Sequence, residues 1–306
     1  MELGRFAPSP SGRMHLGNVF SALLAWLSAR HSGGEVLLRI EDLDPARSRR
    51  EYAEAIMDDF RWLGLTWDRR GEDQSRHSGV YQRALERLEQ MGQLYPCYCT
   101  RDLLHAASAP HASDGRVIYP GTCRNLTEMQ RARQKKMPSL RLRVPEEVIT
   151  FSDGLQGTQS MDLSSQWGDF IVRRADGVAA YQLAVVVDDG ASGVTQVVRG
   201  RDLLTSTPAQ LYLYRLLDLP APVFYHVPML LAPDGRRLSK RDRDLDLGVL
   251  RRCWPPEKVI GLLAWQSGLI AQWEPVSATD LVAEFSWDKV CRTDIILDPK
   301  CLLAGG

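Results

Sequence analysis

The sequence of 306 residues lacks an excess of charge, a long apolar run and abundant cysteine. No uninterrupted apolar stretch is long enough to span a bilayer, so we expect no membrane segment. The first residues contain no basic segment followed by an apolar one, which predicts no signal peptide and a cytoplasmic protein. Lysine plus arginine and aspartate plus glutamate both number 38, so net charge favours no nucleic-acid partner, although a local basic patch is not excluded.

Repeats and low-complexity tracts are absent as well, and a composition of 44% hydrophobic and 25% charged residues is typical of a folded protein. Candidate strands and amphipathic helices alternate at the start of the chain and again after residue 168, which predicts an α/β fold with a parallel sheet. The short segment YQLAVVVDDG does not distinguish helix from strand. The turn-rich stretch between the two alternating parts predicts an irregular insertion. We therefore expect four regions, at residues 1–94, 95–168, 169–243 and 244–306, the last of them short and helical.

The segment PSPSGRMHLGN separates the first candidate strand from the first candidate helix. Gly12 and Gly17 would let a ligand approach the backbone closely, and His15 can donate a hydrogen bond to a phosphate oxygen. The N-terminus of a helix adds unpaired N–H groups and a partial positive charge, which attract anions. Taken alone, the segment more often indicates a capped helix with a surface histidine.

A second polar loop, RRLSKRDRD, contains Arg237, Lys240 and Arg241. Taken alone, such a charge run usually indicates a solvated surface. Together the two segments resemble the signature motifs of class I aminoacyl-tRNA synthetases. HLGN stands in the place of the His-Ile-Gly-His motif, and RLSKR stands in the place of the Lys-Met-Ser-Lys-Ser loop, of which only Ser239 and Lys240 are intact.

Residues 4–245 also resemble the glutamyl-tRNA synthetases in the order of their motifs. These are RFAPSPSGRMHLGN, LLRIEDLDPARS, YPCYCT, VVRGRDLLTSTPAQLYLYRLL and RLSKRD. That family continues into a large helical anticodon-binding half, whereas this sequence stops soon after the lysine loop. The layout is similar to that of the short glutamyl-queuosine tRNA(Asp) synthetases. The resemblance implies a Rossmann-like parallel sheet with an inserted zinc-binding subdomain and a short helical C-terminal region.

The resemblance implies that the protein activates L-glutamate with ATP and Mg²⁺ in the absence of tRNA. The glutamyl group is then transferred to queuosine in the anticodon of tRNA(Asp). His15 and Lys240 are the implied catalytic residues, and we expect a monomer. The implied ATP-binding residues are Pro8, Ser11, Gly12, His15, Gly17, Asn18, Leu238, Ser239 and Lys240.

Recognition of glutamate requires cationic donors for two carboxylates and an acid for the ammonium group. Arg5 and Arg199 offer guanidinium groups, which bind a carboxylate through two parallel hydrogen bonds. Glu41 ends an apolar candidate strand, and Tyr181 offers a hydroxyl. Without the resemblance, the better interpretation of Arg199 is a surface salt bridge. The implied glutamate-binding residues are Arg5, Phe6, Ala7, Pro8, Ser9, Glu41, Tyr181 and Arg199.

Three of the six cysteines lie close together in the sequence, which favours a metal site over disulfides in a reducing compartment. Three thiols without a fourth ligand are weak evidence for tetrahedral zinc, and chance clustering also explains them. His105 and His111 are candidate fourth ligands. The resemblance implies a structural zinc ion bound by Cys97, Cys99, Tyr119 and Cys123. We expect ordinary buried or free thiols at Cys253, Cys291 and Cys301.

Three other functions stay open at this point. The first is an enzyme that charges the 3′ end of tRNA with glutamate, which the missing anticodon-binding half disfavours. The second is a different nucleotidyltransferase with the same histidine turn, which the glutamate-pocket residues disfavour. The third is a non-catalytic zinc protein that binds RNA, which His15 and Lys240 disfavour.

Overall fold

A computed structural model describes residues 1–100, 118–236 and 246–297. Several residues singled out above lie outside these ranges: His105, His111, Arg237, Leu238, Ser239, Lys240, Arg241 and Cys301. Among the residues that the structure describes, no helix is both long and apolar enough to cross a membrane.

Parallel strands form the centre of the fold. In chain order the strands are β1 (Leu3–Phe6), β2 (Glu35–Leu38), β3 (Arg69–Arg70), β4 (Leu94–Cys97), β5 (Ser139–Leu142), β6 (Val148–Asp153), β7 (Gly157–Asp162), β8 (Phe170–Arg173), β9 (Gln196–Gly200), β10 (Val223–Val227), β11 (Leu230–Leu231) and β12 (Ile295–Ile296). One parallel group has the order β1-β2-β3, with Leu3 opposite Glu35. A second pairs β10 with β9, with Val223 opposite Gln196, and a short third pairs β11 with β12.

The first two of these parallel groups meet at β1 and β9. The backbone N–H of Thr195 donates to the carbonyl of Leu3 (3.0 Å), and the N–H of Leu3 donates to Thr195 Oγ1 (2.9 Å). β1 and β9 therefore begin side by side, and the predicted α/β fold with parallel strands is confirmed.

The helices cover the sheet and include one that is almost entirely buried. In chain order they are α1 (Leu16–His31), α2 (Arg50–Trp62), α3 (Ser78–Gln90), α4 (Glu128–Ala132), α5 (Leu163–Gln166), α6 (Tyr181–Ser192), α7 (Thr207–Leu216), α8 (Leu247–Cys253) and α9 (Pro256–Ser267), with 3₁₀ turns at Gln74–Arg76 and Arg201–Ser206. α1 packs against β1 and β9, and Leu23, Leu24 and Leu27 have no exposed surface. Burial on several faces removes the polar stripe of a surface helix.

The ambiguous segment from Tyr181 proves to be helix α6. Most of its residues are buried, so the sequence has no amphipathic period to identify it. Gly193 follows the helix with φ of 69°, a left-handed conformation that glycine adopts at little cost, and the helix ends there.

The prediction of an irregular insertion is wrong for much of that region. β4, β5 and β8 form an antiparallel sheet, and β6 pairs with β7 in a hairpin. These strands are short, and exposed polar residues interrupt their apolar pattern, so the sequence gives a weak strand signal. The hairpin turn joins the edge of β10, because the N–H of Gly154 donates to the carbonyl of Phe224 (2.8 Å). A Cβ atom on Gly154 would lie 2.1 Å from the ring of Tyr225, so this approach requires glycine.

Candidate active site

A cavity of about 450 Å³ opens where β1 and β9 end, which is the edge of a parallel sheet where ligands bind. Its volume lies in the usual range for small-molecule sites. The residues that line it are Arg5, Phe6, Ala7, Pro8, Met14, His15, Gly17, Asn18, Ser21, Ala22, Ala25, Glu41, Phe60, Tyr181, Val198, Arg199, Gly200, Asp202, Leu203, Pro228, Met229 and Leu230.

Ten of the predicted site residues therefore share one cavity. They are Arg5, Phe6, Ala7, Pro8, His15, Gly17, Asn18, Glu41, Tyr181 and Arg199. Ser9, Ser11 and Gly12 belong to the turn before α1 but are not part of the cavity wall. Gly12 has φ of 149°, so the turn itself requires a residue without a side chain at this point.

The N-terminus of α1 faces the cavity through its first turn. His15 is the N-cap residue, and its Nδ1 atom accepts a hydrogen bond from the N–H of Gly17 (3.2 Å). The side chain of Asn18 accepts from the N–H of His15 (3.3 Å), which completes a capping box. With Nδ1 as acceptor, the proton of a neutral ring lies on Nε2, so this nitrogen is the donor. The first turn contains no acidic residue, which keeps this end of the helix suited to an anion.

The turn before α1 is fixed to α8, the helix that follows the lysine loop. The N–H of Leu247 donates to the carbonyl of Met14 (3.0 Å). The buried carboxylate of Asp59 lies 3.5 Å from Arg13 and 2.6 Å from Arg251, so one acid joins α2 to both segments. The first described residues after the lysine loop therefore lie beside the histidine turn.

Arg5 enters the cavity from a network of buried charges. Its Nε donates to Asp189 Oδ2 (3.3 Å), and the other oxygen of Asp189 lies 2.7 Å from Arg39. Arg39 also donates to Glu41 (3.0 Å) and lies 3.8 Å from Asp188. Burial opposes ionisation of Asp189, but the two guanidinium groups hold the pKa of its carboxyl below the ordinary value. The network thus fixes Arg5 through Nε and leaves its two Nη groups without another recorded partner among the described residues.

Asp188 anchors this network to the start of α3. It accepts hydrogen bonds from Gln74 Nε2 and Tyr81 Oη, both at 2.7 Å, and His77 Nδ1 also lies 2.7 Å away. The carboxylate of Asp188 is 1% exposed and has four polar neighbours including Arg39, so its charge is well satisfied.

Glu41 is the buried acid of the cavity wall, whereas Asp202 is exposed. Its Oε1 accepts from Arg39, and only 8% of the residue is exposed. Burial raises the pKa of this carboxyl, while Arg39 and Arg5 oppose that rise. An ammonium group placed in the cavity would add a third cation beside Glu41 and favour its ionised form.

Arg199 has no recorded ion pair with any residue in the described ranges, so the surface salt-bridge interpretation is wrong. It is 6% exposed, and four of its five N–H groups have protein partners. These bonds run from Nε to His226 Nε2 (3.0 Å), from Nη1 to Gln210 Oε1 (2.9 Å), and from Nη2 to Thr207 Oγ1 (2.9 Å) and the carbonyl of Leu203 (3.5 Å). One N–H of Nη1 is left, so Arg199 in this position offers a carboxylate a single bond rather than a parallel pair.

Sequence reasoning missed the residues that hold the two arginines. Asp189 lies 184 positions from Arg5, and His226 lies 27 positions from Arg199. The paired acids at the end of the VVVDD run were the available signal for Asp188 and Asp189, since an apolar run that ends in two acids is unusual for a surface helix.

The cysteine cluster forms a second candidate site, between β4 and the segment after residue 118. The Sγ atoms of Cys97, Cys99 and Cys123 all lie within 4.8 Å of one another. Tyr119 Oη is 3.5 Å from Cys97 Sγ and 3.9 Å from Cys99 Sγ.

These four side chains fit a tetrahedral metal site. Cys99 Sγ and Cys123 Sγ are 3.7 Å apart. Sulfurs bound to one zinc ion at about 2.3 Å are about 3.8 Å apart. Arg141 donates from Nε to Cys97 Sγ (3.2 Å), and its guanidinium lies 3.6 Å from the centre of the Tyr119 ring. This cation favours anionic ligands, and the pKa of the Cys97 thiol is lowered against the effect of burial by its contacts with Tyr119 and Arg141. Of the remaining cysteines in the described ranges, Cys253 is exposed and Cys291 is partly buried.

Comparison with known proteins gives concordant matches. Residues 3–256 match the family described as tRNA synthetases class I (E and Q), catalytic domain. The chain is 50% identical to a glutamyl-Q tRNA(Asp) synthetase of Symbiobacterium thermophilum, with 100% of this chain and 99% of that protein covered. It is 51% identical to a protein of the same name from Nitratidesulfovibrio vulgaris, with 92% and 91% covered.

The fold also matches a solved structure. The crystal structure of a glutamate tRNA ligase from Elizabethkingia meningosepticum, in complex with its amino acid, is similar with a TM-score of 0.83 and 28% sequence identity. The match covers 98% of this chain and 68% of that one.

Proposed function

The chain belongs to the class I tRNA synthetase family of the glutamate and glutamine enzymes, and within it to the glutamyl-Q tRNA(Asp) synthetases, and on this basis we propose that it activates L-glutamate with ATP and transfers the glutamyl group to queuosine in tRNA(Asp). The observation that carries the proposal is the cavity in which two buried arginines and one buried acid lie beside the N-terminus of α1. Two cations and one anion complement the two carboxylates and one ammonium group of glutamate.

Within this proposal, Arg5 and Arg199 bind carboxylate oxygens of glutamate. Arg5 can use both Nη groups, whereas Arg199 contributes the remaining N–H of Nη1. Glu41 receives the ammonium group, and Tyr181, 39% exposed at the start of α6, closes the cavity mouth with its hydroxyl.

ATP occupies the other half of the site in this proposal. The N–H groups of the first turn of α1 and the Nε2–H of His15 face its phosphates, together with Gly17 and Asn18. Mg²⁺ bound to ATP neutralises phosphate charge. Lys240, with Leu238 and Ser239, is proposed to bind the phosphates, and the attachment of α8, which follows these residues in the chain, to the histidine turn supports this assignment.

The chemistry has two steps. An oxygen of the α-carboxylate of glutamate attacks the α-phosphorus of ATP, the bond to the β-phosphate oxygen breaks, and glutamyl-adenylate and pyrophosphate form. Positioning and stabilisation of phosphoryl charge supply most of the catalysis in such a step. A hydroxyl of queuosine then attacks the glutamyl carbonyl, gives up its proton, and displaces AMP.

The cysteine cluster is proposed to bind a structural zinc ion through Cys97, Cys99, Tyr119 and Cys123. A closed site with four protein ligands leaves no position for a substrate, so its effect would be on the stability of the inserted region. A cytoplasmic location and a monomeric state complete the proposal.

The metal prediction is tested by elemental analysis of purified variants. We expect one zinc ion per chain in the wild type, loss of zinc in Cys97→Ser, and reduced occupancy in Tyr119→Phe. Cys253→Ser removes an exposed cysteine outside the cluster and should keep its zinc. Full occupancy in Tyr119→Phe would instead favour His105 or His111 as the fourth ligand.

The transfer step is tested with labelled glutamate and three RNAs. We expect labelling of tRNA(Asp) that contains queuosine, the same labelling after truncation of its 3′ end, and none when queuosine is lacking. Labelling that requires an intact 3′ end and ignores queuosine would show a glutamate–tRNA ligase instead.

A further inference from the structure

The second arginine of the cavity is held by a line of three buried side chains. Arg199 Nε donates to His226 Nε2 (3.0 Å), and His226 Nδ1 lies 2.5 Å from Asp153 Oδ2. Arg199, His226 and Asp153 are 6%, 0% and 2% exposed. Arg199 lies on β9, His226 on β10 and Asp153 at the end of β6, so the line runs from the cavity into the inserted region.

The donors and acceptors in this line define the protonation state of the histidine. A guanidinium group can only donate, so His226 Nε2 must accept, and the proton of the ring lies on Nδ1, where it is donated to Asp153. A protonated ring would place an N–H against the N–H of Arg199. Burial lowers the pKa of the His226 imidazole, which agrees with a neutral ring.

Asp153 is fixed as the anion at the far end. Its Oδ1 accepts from the N–H groups of Leu155 (3.1 Å), Gln156 (2.8 Å) and His226 (3.2 Å). Gln156 Nε2 donates in turn to the carbonyl of His226 (2.9 Å). The hairpin turn is thus fastened to β10 through both side chains and backbone.

We propose that His226 and Asp153 are positioning residues for glutamate recognition, which orient Arg199 while leaving its positive charge available to a carboxylate of the amino acid. A carboxylate in direct contact with Arg199 would compete with the substrate, whereas a neutral imidazole fixes the guanidinium without neutralising it. The negative charge of Asp153 lies behind the ring and fixes its tautomer. The inference rests on the proposed function, since it assigns a role to residues behind the proposed glutamate site.

The first test compares three variants in glutamate-dependent exchange of pyrophosphate into ATP, run with and without tRNA. Asp153→Asn removes the anion, and His226→Leu removes the acceptor; each should raise the KM for glutamate about tenfold and leave the KM for ATP unchanged. His226→Gln keeps an oxygen that can accept from Arg199, so its KM for glutamate should rise less than that of His226→Leu. Preference for glutamate over glutamine should fall in the same order.

A matched control separates positioning from a general structural effect. Asp169 is also buried (3% exposed) and accepts from Tyr95 Oη (2.6 Å), but it lies immediately before β8 of the antiparallel sheet and makes no recorded bond to Arg199. Asp169→Asn should lower stability without changing the KM for glutamate. An unchanged KM for glutamate in folded Asp153→Asn, or equal changes in both substrate KM values in Asp153→Asn and Asp169→Asn, would overturn the inference.

A second readout does not depend on catalysis. In ¹⁵N NMR spectra of imidazole-labelled protein, His226 should show a protonated Nδ1 and an unprotonated Nε2, and Asp153→Asn should change this signature. A ring protonated on Nε2 would overturn the inference even if exchange is normal. Absence of glutamate-dependent exchange in the wild type, with or without tRNA, would refute the proposed function instead, and the NMR signature would still test the contact.

Discussion

Arg5 and Arg199 line the same cavity but are held in opposite ways. Arg5 is bound by a carboxylate, Asp189, which also pairs with Arg39. Arg199 is bound by an imidazole, an amide oxygen, a hydroxyl and a backbone carbonyl, all of them uncharged in this arrangement. The charge of Arg5 is therefore balanced by a contacting carboxylate, whereas the charge of Arg199 is not.

This difference makes the two walls of the cavity electrostatically unlike. Around Arg5, two guanidinium groups face three acids, namely Glu41, Asp188 and Asp189, so that wall has one acid in excess. Around Arg199, the direct partners are uncharged, so no contacting carboxylate neutralises this cation. An amino acid with its ammonium group toward Glu41 and a carboxylate toward Arg199 complements both walls, which is a specific requirement of the proposed glutamate site.

The largest expected effect, a loss of stability, comes from removing the carboxylate that holds Arg5. Asp189→Asn leaves Arg5 and Arg39 without their shared carboxylate, and the loss of one partner from a buried ion pair costs about 3–5 kcal/mol of unfolding free energy. Urea unfolding should show this loss. Glu54→Gln is the control, because Glu54 pairs with Arg50 at the exposed surface (2.8 Å), where such a pair contributes about 0.3–0.5 kcal/mol. Equal losses in the two variants would contradict the assigned network.

A smaller effect, on catalysis, is expected when Arg199, the arginine with uncharged partners, is replaced. Arg199→Lys keeps the charge but cannot reach His226, Gln210 and Thr207 together, so kcat/KM for glutamate should fall about 10²-fold, or about 2.7 kcal/mol. Arg201→Lys is the matched control, since Arg201 is half-exposed, pairs with Asp294 (2.6 Å) and is absent from the cavity wall. Pyrophosphate exchange measures both. Full activity of Arg199→Lys would show that the fixed guanidinium geometry is unimportant.

The smallest effect concerns pH. Because burial lowers the pKa of His226 in the folded state, the unfolded chain binds more protons at this residue once the pH falls below about 6.5. Stability should therefore decrease on acidification, by at most about 1.4 kcal/mol per pH unit for one group. Urea unfolding at several pH values should show a shallower decrease in His226→Gln than in the wild type. The same slope in both proteins would contradict a neutral, buried His226.

The sequence predicted the cavity-facing residues better than the residues behind them. His15, Arg5, Glu41 and Arg199 were found because they sit in motifs with a characteristic order. Asp153 lies 73 positions from His226 and belongs to no motif, and contacts between such distant segments leave no local pattern to read.

The fold shows the same limit. The alternation of strands and helices predicted the parallel sheet, since each element there has a clear period. Helix α6 stayed ambiguous because it is buried on several faces, and the antiparallel strands were missed because they are short and polar. In both cases tertiary packing, rather than local propensity, decides the structure.

The central claim is that one cavity recognises glutamate and activates it, and exchange of pyrophosphate into ATP in the absence of RNA tests this most directly. The account predicts exchange with glutamate and little with glutamine or aspartate, because glutamine lacks the second carboxylate and the side chain of aspartate is one methylene shorter. Lys240→Ala should then lower the exchange rate about 10²–10³-fold with little change in the affinity for ATP. Exchange that appears only when tRNA is added, or that does not depend on the amino acid, would contradict the account.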